Sequence, residues 1–288
     1  RATATLAVPD LVKKIVDRIP LFPRIRNSIR IKHGINFWPA GRKTSENTHA
    51  MQGKLIVFEG GEGCGKTTQI QQLHRWLMGQ ESLKQLQTQK HIAGIKLTRE
   101  PGGTEIGKKI RQLLLAQQTP GDAPLLSKTE LLLYAADRAQ HVEETLRPWL
   151  AQGYWVLCDR YTDSTVAYQG YGRQLDLTLI NTLNQLATGG LKSDLTLWLN
   201  APPAVGLTRA AKRGQADRIE QASKDFHHRV NAGFTVLASN HPSPHDFSSS
   251  GPTAEIDANQ PIEVVAACIQ QTIQNRIAQL YSEVKGQP

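Results

Sequence analysis

With 288 residues the chain can bury one large core, and no apolar run approaches the roughly 20 residues of a membrane-spanning helix, so the main body reads as soluble and cytoplasmic. Its three cysteines, Cys64, Cys158 and Cys268, are far apart and show neither disulfide nor metal spacing. The net charge of +9 does not mark a nucleic-acid binder: residues 1–50 hold ten Lys/Arg against three Asp/Glu, while 51–288 hold 24 against 22.

Residues 1–50 read as a basic N-terminal extension. A short amphipathic pattern from Leu6 to Ile19 is broken by Pro20 and Pro23, and the polar stretch Pro39–Ala50 reads as linker. The extension is expected to be disordered, or to lie upstream of a natural start at Met51. Being Arg-rich and acid-poor, though poor in Ser, it also leaves organelle targeting open. After Met51, short β-prone runs alternate with helical patterns. Lys54–Glu59, Ile95–Thr98, Trp155–Cys158 and Leu195–Leu199 read as buried parallel strands. Thr67–Met78, Glu105–Leu115 and Ser127–Gln152 read as helices, the last opening on a capping box, Ser127-Lys128-Thr129-Glu130. Pro202-Pro203 starts a further helix toward Lys212, and Asn240–Pro252 reads as a surface loop. Such alternation predicts an α/β domain over 51–288, with a parallel sheet and helices on both faces.

The most specific local signal is Gly60-Gly61-Glu62-Gly63-Cys64-Gly65-Lys66-Thr67. It satisfies G-x-x-x-x-G-K-[ST] between a strand and a helix, the context a phosphate-binding P-loop requires. The glycines allow backbone N–H groups to turn inward around phosphate oxygens, and the helix adds its positive N-terminal end. Lys66 is then placed for the β- and γ-phosphates of ATP and the Thr67 hydroxyl for Mg²⁺, with Thr68 beside it. Cys64 reads as packing. Nucleotide binding follows, but motors, GTP switches and repair ATPases share the loop.

Further motifs narrow the class. Thr98-Arg99-Glu100-Pro101-Gly102-Gly103-Thr104 is a turn that opens a helix. Asp159-Arg160-Tyr161 follows the third strand and continues through Ser164, Thr165, Ala167, Tyr168 and Gln169. Arg213-Gly214 precedes Asp217-Arg218-Ile219-Glu220, and Tyr134-Ala135-Ala136-Asp137-Arg138 lies on the long helix. A guanidinium at a strand end, as at Arg160, suits bidentate capture of a monophosphate, and Arg111 is a second candidate. In order and spacing these motifs resemble the thymidylate kinases of the bacterial kind, over about Met51 to Leu280.

The resemblance implies a P-loop NTPase fold with a five-stranded parallel sheet, a short lid at about 211–222, and transfer of the γ-phosphoryl group of ATP to dTMP. It also implies a homodimer. By the same resemblance Tyr134 stacks on thymine, Arg138 donates to its carbonyl oxygen, and Thr165 and Gln169 contact the ring nitrogen. Tyr168 crowds the sugar 2′ position, Glu62 meets the 3′-hydroxyl, and Glu100 lies near the same ligand. Asp159 takes a Walker B place, serving Mg²⁺ through water, and Arg209 stacks on adenine. One subgroup carries a catalytic Arg in the phosphate loop, where this chain has Gly63. The bacterial subgroup carries it in the lid, which corresponds to Arg213, with Arg218 nearby, so Lys66, Arg160, Arg213 and Arg218 are the catalytic candidates. Two rivals stay open at this point: a kinase for another nucleoside monophosphate, and a P-loop ATPase switch.

Overall fold

The structure, a computed structural model, describes residues 53–117, 123–212, 214, 216–239 and 251–285. The N-terminal extension, Arg213 and the 240–250 part of the surface loop lie outside these residues. In chain order the elements are β1 (Lys54–Glu59), α1 (Lys66–Gly79), α2 (Glu81–Thr88), β2 (Gly94–Arg99), α3 (Glu105–Leu115), α4 (Ser127–His141), α5 (Arg147–Ala151) and β3 (Tyr154–Asp159). They continue with α6 (Thr162–Thr165), α7 (Leu177–Thr188), β4 (Leu195–Asn200), α8 (Pro203–Ala211), α9 (Lys224–Ala238), β5 (Thr253–Asp257) and α10 (Ile262–Lys285).

All five strands run parallel in the order β2-β3-β1-β4-β5, with β1 central. Alternation along the strands sorts their side chains onto two faces. Ile56, Phe58, Trp155, Leu157, Leu197 and Leu199 pack under Ile70, Leu73 and Leu77 of α1, Leu83 and Leu86 of α2, and Ile269 and Ile273 of α10. Leu55, Val57, Val156 and Cys158 meet Val142, Leu146 and Tyr161 on the opposite face. Helices therefore cover both faces, and the strand ends that follow Glu59, Arg99 and Asp159 open on one edge, where ligands of such sheets bind.

Three local features differ from the sequence reading. The predicted helix Ser127–Gln152 passes through a π-helical stretch, Val142–Leu146, before α5. Pro148 lacks an N–H and its ring crowds the preceding turn, which the wider π turn relieves. The expected capping box is not formed. Leu126 is the N-cap, without a side-chain cap, and the Glu130 side chain is drawn instead into a buried cluster of cations described below. The fifth strand had no position in the sequence reading because, of Thr253–Asp257, only Ile256 is buried. No helix among the described residues is long and apolar enough to cross a membrane.

Candidate active site

The phosphate loop joins β1 to α1. Gly60, Gly63 and Gly65 all have positive φ, at 142°, 66° and 98°. At Gly63 backbone conformation and space both demand glycine, since a Cβ there would lie 1.8 Å from the Gly206 carbonyl oxygen of α8. This contact presses the loop against α8 and leaves no room for the loop arginine of the other subgroup. Lys66 Nζ donates to the Gly60 and Gly61 carbonyls, at 2.9 Å each, within the mouth of the loop. The Thr67 hydroxyl donates to Asp159 Oδ2 at 3.0 Å. These two hard oxygen donors, one from the loop and one from the end of β3, fit a Mg²⁺ ion that takes its remaining ligands from phosphate and water. Cys64 is buried in the core, as expected for packing.

Arg160 follows β3 in a left-handed conformation, φ 72°, unusual for a residue with a Cβ. Its Nη1 donates to the Gly60 carbonyl at 3.0 Å and to Ser164 Oγ at 3.1 Å, and its Nη2 donates to Glu62 Oε1 at 2.5 Å. The Tyr168 hydroxyl also donates to Glu62 Oε1, at 2.7 Å, and the guanidinium carbon sits 4.9 Å from the centre of the Tyr168 ring. Burial alone would raise the Glu62 carboxyl, but the Arg160 and Lys66 charges and the Tyr168 hydroxyl outweigh it and hold the pKa at about 2. Arg111 donates to the Pro101 carbonyl at 3.1 Å. Its pKa is lowered by burial and by the charges of Arg99 and Arg160. Arg99, Arg111 and Arg160 thus form a like-charged group on the wall facing the phosphate loop. The motif alone assigns Arg99 no role; the signal for it is its place at the end of β2, equivalent to that of Arg160 after β3.

Behind this wall lies a buried polar network. Arg138 donates to Glu100 Oε2 at 2.8 Å and, at 2.7 Å each, to Thr165 Oγ1, Asn184 Oδ1 and the Tyr161 carbonyl. Glu100 Oε1 is 2.8 Å from His141 Nδ1, and His141 Nε2 is 2.6 Å from Thr98 Oγ1. Four of the five guanidinium N–H groups of Arg138 are therefore committed within the protein. Glu100 gives both oxygens to Arg138 and His141, so it organises the site from behind. Asp137 accepts from the Gly102 N–H at 2.9 Å through one oxygen, while its Oδ2 is buried without a hydrogen-bond partner. Burial and the Glu100 charge raise its pKa to about 6.

A recess adjoins the arginine wall, lined by Tyr134, Leu115, Ile219, Thr165, Tyr168 and Gln169 together with Arg138. Gln169 Nε2 donates to Glu130 Oε1 at 2.8 Å, which points its amide oxygen away from Glu130. Glu130 is fully buried and also binds Arg173 and Arg218, whose Nη2 lies 2.6 Å from its Oε2. Arg218 further donates to the Leu114 carbonyl at the end of α3. In this structure it ties the 216–222 segment to α4 and α3 and is not among the residues lining the phosphate cleft. Asp217 supports the same segment by accepting from the Ile219 and Glu220 N–H groups.

The outer cleft has a volume of about 760 Å³ and joins the phosphate loop to Arg209, Gln260, Pro261 and Val265. Arg209 is fixed by a 2.9 Å bond to the Ala258 carbonyl. Thr68, Gly214 and Asp217 also line the cleft.

A P-loop beneath one cleft, with an arginine-walled recess for a second anionic ligand opening beside it, defines a nucleotide-dependent phosphoryl-transfer protein of the monophosphate kinase class. The model for the family Thymidylate kinase matches residues 58–269. The chain is 49% identical over 238 residues to the thymidylate kinase of Acaryochloris marina, covering 80% of this chain and 100% of that one. It is 56% identical over 194 residues to that of Nostoc punctiforme, covering 67% and 86%. A crystal structure of thymidylate kinase from Ehrlichia chaffeensis matches with a TM-score of 0.55 and 28% identity, covering 77% of this chain and 99% of that one. The chain belongs to the thymidylate kinase family.

Proposed function

We infer that the chain is an ATP:dTMP phosphotransferase that makes dTDP and ADP. The observation that carries this reading is the group of like-charged guanidiniums, Arg99, Arg111 and Arg160, held opposite the phosphate loop at the entrance to a recess lined by Tyr134. Two polyanions repel each other, and fixed positive charge between them offsets that repulsion without reorganisation during the reaction. ATP lies along the outer cleft with its phosphates in the loop and its adenine against Arg209. The dTMP phosphate is held by the arginines, with its base between Tyr134 and the polar groups of Thr165 and Gln169.

In the transfer, an oxygen of the dTMP phosphate forms a bond to the γ-phosphorus. The bond from that phosphorus to the β,γ-bridging oxygen breaks, and ADP leaves with the electron pair. Lys66 turns from the Gly60 and Gly61 carbonyls toward the β- and γ-phosphates, and Arg213 supplies charge from the lid. Thr67, with Asp159 acting through water, would hold a Mg²⁺ ion, which would neutralise phosphate charge. Tyr168, pinned through its hydroxyl to Glu62, sets the wall beside the sugar. A homodimer is the proposed assembly, for which the exposed Leu113, Leu132 and Leu186 on α3, α4 and α7 offer apolar surface.

The test is the fate of the label when γ-labelled ATP is mixed with protein, Mg²⁺ and dTMP. The label should appear in dTDP. Label released as inorganic phosphate at the same rate with and without dTMP would make the protein an ATPase instead.

A further inference from the structure

β1 ends on Glu59, immediately before the phosphate loop, and this carboxylate is 1% exposed. It does not face the cleft. Its Oε1 accepts from the Tyr161 N–H at 2.8 Å and from the Ser164 N–H at 3.1 Å, and its Oε2 accepts from the Ser164 hydroxyl at 2.6 Å. These donors follow Arg160 directly in the chain, and the Arg160 Nη1 donates to the same Ser164 Oγ at 3.1 Å. The short helix α6 begins at Thr162, so Glu59 satisfies N–H groups that the helix start leaves without intrahelical partners. Arg160, which immediately precedes these donors, is held at φ 72°, a conformation a non-glycine residue adopts only when its surroundings impose it.

We propose that Glu59 is a positioning residue for the acceptor phosphate: from the end of β1 it clamps the turn after β3, and through Ser164 it aims the Arg160 guanidinium. The assignment rests on Arg160 being the dTMP phosphate clamp. Two independent bonds to the backbone on the C-terminal side of Arg160, together with a side-chain relay to its guanidinium, distinguish this arrangement from a buried acid that only fills space. Because β1 also leads directly into the phosphate loop, one side chain sets the donor and acceptor sites in register.

The test compares dissociation constants for dTMP and for a non-hydrolysable ATP analogue, in variants verified as folded by circular dichroism. Glu59→Met removes every acceptor, and dTMP binding should weaken about tenfold or more, the scale of a buried hydrogen bond left unmade. Binding of the ATP analogue should stay within about twofold, a split that general loss of stability would not produce. Glu59→Gln retains an oxygen for both N–H groups and should restore dTMP binding to within about threefold of the parent. Ser164→Ala, which cuts only the relay, should weaken dTMP alone and gives the answer if the Met variant does not fold. Unchanged dTMP binding in folded Glu59→Met or in Ser164→Ala, or a parallel loss for both nucleotides, overturns the proposal. Arg160→Ala separates the two levels. If that change spares dTMP binding, the clamp reading itself fails; if it abolishes binding while Glu59→Met does not, only the role of Glu59 fails. Combining Arg160→Ala with Glu59→Met should add nothing to Arg160→Ala alone.

Discussion

Replacing Arg138 with Met should cost the protein far more stability than a ligand contact alone would suggest. The side chain is 2% exposed and binds Glu100, Thr165, Asn184 and the Tyr161 carbonyl, so Met fills much of its volume but supplies no donor. Breaking a buried ion pair from one side costs about 3–5 kcal/mol, because the remaining charge stays buried. His141 still faces Glu100 Oε1, which moderates that term, while three neutral acceptors are left short of a donor. A loss of about 4 kcal/mol is the working figure, equivalent to a fall of about 10 °C in the thermal midpoint for a domain of this size. Calorimetry on the parent, Arg138→Met, Glu100→Gln and the double variant supplies the assay. The double variant should be less destabilised than the sum of the singles, by a coupling of about 0.5–3 kcal/mol. A midpoint within about 3 °C of the parent, with only the KM for dTMP raised, would refute this reasoning and leave Arg138 purely a base-recognition residue.

Asp137→Asn should stabilise the protein, and only toward high pH. The carboxyl is raised from 3.8 to about 6, so the folded state holds its proton more tightly than the unfolded state. Stability is therefore highest below 3.8 and falls as pH rises through about 6. Asn retains an oxygen for the Gly102 N–H, so its advantage over the parent should grow to at most about 3 kcal/mol above pH 6 and vanish near pH 4, read from paired denaturant titrations. Arg213→Ala should lower kcat on the order of 10³-fold while the KM for ATP changes little, whereas near-normal kcat would move the charge-stabilising role elsewhere. A chain beginning at Met51 should retain its steady-state constants and a thermal midpoint within a few degrees of the full chain. Insolubility would place Leu11, Ile15 and Ile19 against the domain, since one buried Leu or Ile is worth roughly 1.5–3 kcal/mol.

The strands flanking the site were legible because a strand buried on both faces must be an almost unbroken apolar run, as in Lys54–Glu59 and Leu195–Asn200. β5 carries no such run and was legible only as one of an implied five. The phosphate loop was legible because its backbone geometry needs particular residues at particular spacings, seen at Gly63, where any Cβ would strike α8. The buried acids were not. Glu59, Asp137 and Glu130 occupy positions that periodicity alone would leave on a surface, and their burial follows from Arg138, Arg173, Arg218 and backbone N–H groups brought from distant segments. Arg138 and Glu100 stand out in the sequence through the family's motifs, but their many protein partners are a tertiary fact. The ion pair of Arg218 with the buried Glu130 is likewise a tertiary contact that its motif does not announce.

The central claim is that the recess beside the arginine wall selects thymidylate, and the most direct measurement is kcat/KM for dTMP against dUMP, AMP, GMP and CMP under one ATP and Mg²⁺ regime. The account predicts that dTMP is best and that dUMP is weaker by roughly 10–200-fold, the worth of about one methyl contact in an apolar pocket, with the other three far behind. AMP, GMP or CMP turning over as efficiently as dTMP would contradict it.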